Sequence, residues 1–142
     1  MSTTLIKREQ VQRKWFLVDA TGKPAGRLAV QIANILRGKL KVDFTPSADN
    51  GDFVVVVNAD KVRLTGNKEE TKIYKKYSGF PGGLKLEPAK EIRKKDPTRI
   101  ILQAVGGMLP RNRTRAALLK RLKIFAGAEH THKAQEPQPI AL

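Results

Sequence analysis

The 142-residue chain contains no cysteine, so disulfides, thiolate metal sites and cysteine nucleophiles are excluded, as fits a reducing compartment. Acidic side chains are scarce: 13 Asp and Glu stand against 28 Lys and Arg, for a formal charge of +15. Such an excess repels itself in a compact monomer unless a polyanion neutralises it, which points to nucleic acid or an anionic membrane surface. Long apolar runs are missing too. The longest, residues 53–57, falls far short of the roughly 20 residues that a membrane-spanning helix needs. Residues 1–14 are polar and lack the apolar stretch of a secretory signal, so a soluble cytoplasmic protein is expected. There is no internal repeat or low-complexity segment.

What is present suits one domain with a modest core. Phe53, Val54, Val55, Val56 and Val57 follow the turn residues Asn50, Gly51 and Asp52. Branching at Cβ favours an extended backbone, and a run that does not alternate with polar residues is covered on both faces, as in a parallel sheet. Trp15, Phe16, Leu17 and Val18 form a second apolar strand. After it, Leu28, Ile32 and Leu36 recur beside Ala29 and Ala33 as a helical stripe that Gly38 stops. The pattern is strand, crossover helix, strand.

Further along, Val62 to Thr65 reads as a short strand, and residues 71–77 alternate weakly enough to be strand or loop. Ser78, Gly79, Phe80, Pro81, Gly82 and Gly83 form a glycine-rich loop. Helices are expected over residues 87–95, over the stripe Ile100, Ile101, Ala104, Val105 and Met108 with Asp96 as N-cap and Pro97 as first helical residue, and over residues 115–122. Residues 123–126 offer a final strand. The expected organisation is an α/β domain over residues 15–127, a basic N-terminal arm of residues 1–14 and an extended C-terminal arm of residues 128–142.

Charge is unevenly distributed: residues 1–58 carry 9 basic and 5 acidic side chains, residues 59–142 carry 19 and 8. Between Gly106 and Gly127 lie Arg111, Arg113, Arg115, Lys120, Arg121 and Lys123 with no acidic residue among them, an electrostatic footprint for phosphates rather than an ordinary solvated face. A second cluster, Lys68, Lys72, Tyr74, Lys75, Lys76 and Tyr77, stands directly before the loop of Gly79, Gly82 and Gly83. Cations interleaved with rings suit RNA, whose bases stack while its phosphates pair; Tyr74 and Tyr77 serve equally well as cover for a core edge. Arg37, Lys39 and Lys41 add a third group.

Other chemistries fit less well. Gly22-Lys23 is followed by Pro24, and Leu17 stands where a phosphate-binding loop needs its first glycine; Gly22 to Gly26 lacks dinucleotide spacing. A metal-dependent nuclease using Asp49, Asp52, His130 and His132 is the competing reading, although Asp49 and Asp52 flank Asn50-Gly51 as ordinary turn residues. A third keeps RNA binding but moves it to a messenger leader.

The motifs, taken together and in order, resemble the universal large-subunit ribosomal protein L-thirteen family in its bacterial form. The matching stretches are Trp15 to Ala20 with Gly26-Arg27-Leu28-Ala29, Thr45-Pro46 through Gly51-Asp52 to Asn58-Ala59, Thr65-Gly66-Asn67-Lys68, and Ser78-Gly79 with Gly82-Gly83. They continue with Gly107-Met108-Leu109-Pro110, Leu122-Lys123, His130 with His132, Ala134-Gln135 and Pro137. The resemblance implies a three-layer α/β/α domain around a small, mostly parallel sheet, without enzymatic activity, cofactor, small-molecule substrate or membrane. It also implies a place in the large ribosomal subunit, where the protein binds rRNA, meets neighbouring ribosomal proteins and joins early in assembly. By the same resemblance, rRNA contacts fall on Lys68, the loop from Tyr74 to Gly83, the segment from Met108 and Pro110 through Arg115, Lys120, Arg121 and Lys123, and the arm bearing His130 and His132. Two positions depart from the family's pattern, Ser47 and Tyr77, where relatives often carry histidine.

Overall fold

The computed structural model describes residues 7–142; residues 1–6 of the N-terminal arm lie outside the described residues. Strand β1 (Trp15–Asp19) leads through a turn into helix α1 (Ala25–Arg37), and strand β2 (Phe53–Val57) is the valine run. Gly38 ends α1 in the left-handed conformation, φ 73°, its N–H donating to the carbonyls of Asn34 and Ile35. Beyond β2 come helix α2 (Lys68–Thr71), strands β3 (Ile73–Tyr77) and β4 (Leu84–Pro88), and helices α3 (Ala89–Lys95), α4 (Thr98–Met108) and α5 (Arg115–Lys120). Strands β5 (Leu122–Ile124) and β6 (Gln138–Pro139) complete the chain.

Four strands form a parallel sheet in the order β5-β2-β1-β6, while β3 and β4 pair separately as an antiparallel hairpin. The register sets Trp15 against Phe53 and Val54 against Leu122. Side chains alternate across a strand, so Phe16, Val18, Val54, Val56, Leu122 and Ile124 share one face. That face meets Leu28, Ile32 and Leu36 of α1, Ile100, Ile101 and Val105 of α4, and Leu118 of α5 in one core. Burying a branched side chain of this kind contributes about 1.5–3 kcal/mol.

Val55 is as fully buried as Val54 and Val56, so both faces of β2 are indeed covered. The second cover comes from the chain after β5. Trp15 stacks on Phe53 with ring centroids 4.3 Å apart, His132 lies 5.3 Å from Trp15, and Phe125 meets both His130 and His132. The C-terminal stretch expected as an extended arm thus returns to the sheet, where Ile140 N–H donates to Leu17 at 2.9 Å. Pro139, with no N–H, is accommodated because β6 is an edge strand.

Several local expectations change. Residues 62–65 are not a strand; Arg63 makes a single bridge to Pro24. Residues 87 and 88, expected to open a helix, end β4, and α3 begins only after Pro88, whose backbone is extended. The final strand starts at Leu122, one residue early, although Phe125 N–H still reaches Val56 at 2.8 Å. Asp96 caps α4 as expected, its Oδ1 accepting from the Thr98 N–H at 3.1 Å and hydroxyl at 2.5 Å, with Pro97 already helical.

Candidate nucleic-acid interface

The loop between α4 and α5 is folded by its own backbone: Leu109 N–H donates to Val105, Asn112 to Pro110 and Arg115 to Asn112, while the Thr114 hydroxyl meets Asn112 Oδ1 at 2.6 Å. Arg111 and Arg113 are exposed on it, and neither has an ion-pair partner among the described residues. Arg37 and Pro110 come together with Asn112 and Thr114 around a cavity of about 170 Å³ closed by residues 44–49. Arg115 is half-buried against α4, where a Cβ added to Gly106 would stand 3.5 Å from its guanidinium. Lys120 is exposed at the end of α5; Lys123 is half-buried on the Val55 face of the sheet.

Two expected contact residues are otherwise engaged. Arg121 is buried, with one guanidinium nitrogen 2.8 Å from the Gly51 carbonyl and the other bound to the Asp49 carboxylate. Its sequence neighbourhood holds no carboxylate, but the fold delivers one, so Arg121 is corrected from an exposed phosphate contact to a clamp on the loop before β2. Lys41 similarly reaches Asp52 and the Gln12 carbonyl, each at 2.8 Å, which anchors the end of the N-terminal arm. Lys39 beside it is exposed.

The glycine loop is the tip of the β3–β4 hairpin. Gly79 and Gly82 take positive φ, and a Cβ on Gly83 would lie 2.0 Å from the Ser78 hydroxyl, so the tip needs its glycines. Lys68, Lys72, Lys75 and Lys76 are exposed along this arm. The two tyrosines separate. Tyr74 packs on the core, with Lys72 Nζ 5.1 Å above its ring and its hydroxyl buried without a partner. Desolvation raises that phenol above its ordinary value, with Arg93 opposing. Tyr77 is 64% exposed, and Phe80, at the tip, 74%.

The residues of the nuclease reading are engaged elsewhere. Asp49 is held by Arg121 and Arg13, and Asp52 by Lys41 and the Lys14 N–H at 2.9 Å. His130 and His132 belong to the aromatic cover of the sheet. Among the described residues no three His, Cys, Asp or Glu side chains gather as a metal site. Sequence reasoning also missed two cations. Arg27, two residues after the turn into α1, and Arg63, in the segment misread as strand, line one cavity with Lys68 and Met108. Only the fold, which runs residues 63–68 past the start of α1, joins them.

The arrangement is that of a basic scaffold, an α/β core with cations displayed on loops. Residues 13–131 match the family model described as Ribosomal protein L13. The chain is 56% identical to the large ribosomal subunit protein uL13 of Thermotoga petrophila, over 99% of this chain and 94% of that one. It is 54% identical to the uL13 of Halorhodospira halophila and 50% identical to that of Trichlorobacter lovleyi, each over the full length of both chains. The chain belongs to the ribosomal protein L13 family, and is a structural constituent of the large ribosomal subunit rather than an enzyme.

Proposed function

We propose that the protein binds large-subunit rRNA through the 109–115 loop and the β3–β4 arm, enters the subunit early in its assembly, and meets neighbouring ribosomal proteins there, in the cytoplasm. The observation that carries this reading is the division of its charges. Asp49, Asp52, Glu69 and Glu87 are occupied within the fold by Arg13, Arg121, Lys41, Arg93, Lys95 and Arg99, while Arg111, Arg113, Lys68, Lys72, Lys75 and Lys76 face solvent without carboxylate partners among the described residues. Cations presented on loops engage phosphates and leave sequence unread, so selectivity comes from the folded shape of the RNA.

Replacing Arg111 and Arg113 together by Ala tests it. Binding to transcribed large-subunit rRNA should weaken, and the slope of log affinity against log salt should flatten by about 1.4 to 1.8 units, at one phosphate for each arginine. An unchanged slope removes the loop from the interface. Pulse labelling checks the timing: the protein should appear in precursor particles, and its appearance only in mature subunits would refute early entry.

A further inference from the structure

We infer that the groove beside the start of α1 is a seat for unpaired nucleotides, a site distinct from the 109–115 loop and resting on the rRNA-binding reading. Two adjoining lobes, of about 480 and 510 Å³, share Ala25, Gly26, Leu64, Lys68 and Met108. Each lies within the range of about 300–1,000 Å³ usual for small-ligand sites. Arg27 and Arg63 rim the first lobe, Lys72 the second, and Lys68 stands between them. Val30, Leu64, Ala104 and Met108 supply apolar walls, with Val30 48% and Met108 39% exposed. Among the described residues no carboxylate lines either lobe.

Charge complementarity selects the occupant. Four cations around an apolar cleft fit a chain with regular negative charges and flat, uncharged faces between them. An unpaired RNA strand has that form, with phosphates for the rim and a base for the walls. A duplex offers phosphates, 2′-hydroxyls and base edges but keeps its flat base faces stacked, so the apolar walls would go unfilled. Tyr74 also lines the second lobe, although its hydroxyl is buried beneath the surface. The arrangement predicts that an extruded nucleotide, rather than a helical groove, is held here.

The test uses the full chain with fluorescent single-stranded oligoadenylate and a duplex RNA of equal length. Wild type should prefer the single strand by roughly tenfold, the scale of one stacked base. Arg27→Ala with Arg63→Ala should flatten the single-strand salt slope by about 1.4 units, and Leu64→Glu should abolish the preference over duplex. Both arginines are exposed and lack ion-pair partners among the described residues, so the double variant should melt as wild type does. Equal binding of duplex and single strand, or variants indistinguishable from wild type, would overturn the inference. So would capture of an acidic, apolar peptide that leaves RNA binding untouched, which would make the groove a protein-docking site. If the variants are silent while wild type still binds large-subunit rRNA, the groove alone fails; if wild type does not bind that rRNA, the reading beneath it fails.

Discussion

The central strand β2 and the β3–β4 hairpin are both rich in apolar side chains, yet Val54, Val55 and Val56 are fully buried whereas Ile73, Tyr77, Leu84 and Leu86 are all more than half exposed. In the parallel sheet the valines of β2 are covered by other parts of the same chain. In the hairpin, Ile73, Tyr77, Leu84 and Leu86 share one pleat face by register, with Lys75 among them, and nothing from the described residues covers it. A two-stranded hairpin is at best marginally stable in water. The free fold thus leaves this hairpin face open to solvent while it closes both faces of β2.

The sharpest way to separate the two regions is through glycine. A Cβ on Gly51 would lie 1.7 Å from the Leu36 carbonyl oxygen, backbone against backbone, so Gly51→Ala should cost upwards of about 3 kcal/mol in denaturant unfolding. Gly82 has φ 72° but open space around it, and Gly82→Ala should cost only about 1–2 kcal/mol, the price of a left-handed alanine. Truncation of side chains comes next. Val54→Ala should remove about 2 kcal/mol, whereas Leu86→Ala should change the free protein by less than about 0.5 kcal/mol. A loss as large as that of Val54→Ala would show the hairpin face to be buried after all.

The smallest effect concerns Asp19, at the end of β1. Its carboxyl is held at about 2 by the Asn58 amide at 2.9 Å and by the Thr21 hydroxyl and N–H at 2.7 and 3.0 Å. Because the folded value lies below the ordinary 3.8, this stabilisation is whole above that pH and is lost as pH falls towards 2. Asp19→Asn should flatten unfolding free energy against pH across that window and leave it unchanged in slope near neutrality.

The sheet and its covering helices were legible because they follow simple periods: the unbroken valines, the four-residue stripe from Leu28 to Leu36, and the Asp96-Pro97 start of α4. The hairpin was half hidden. Leu84-Lys85-Leu86-Glu87 does alternate, but Pro88 and the helix-like composition behind it drew the boundary too early. Where the sequence misled about the interface, the cause was distance. Arg121 has no carboxylate near it along the chain and meets Asp49 only in the fold; Arg27 and Arg63 become neighbours only when the 63–68 segment passes α1. Likewise, His130 and His132 resemble arm residues until Phe125 and Trp15 are brought to them.

The pairing of β6 with β1 has a consequence in time. On the side of β1 away from β2, Phe16 and Leu17 pair with Gln138 and Pro139, so this last ladder closes a loop containing nearly the whole chain. A ribosome making this protein delivers the basic loops well before the residues that finish the sheet, and contacts so remote in sequence form slowly. During that interval the β1 edge, with its unpaired backbone groups, is open to the wrong strand. A newly made copy is thus sticky through its charges first and safe through its backbone last.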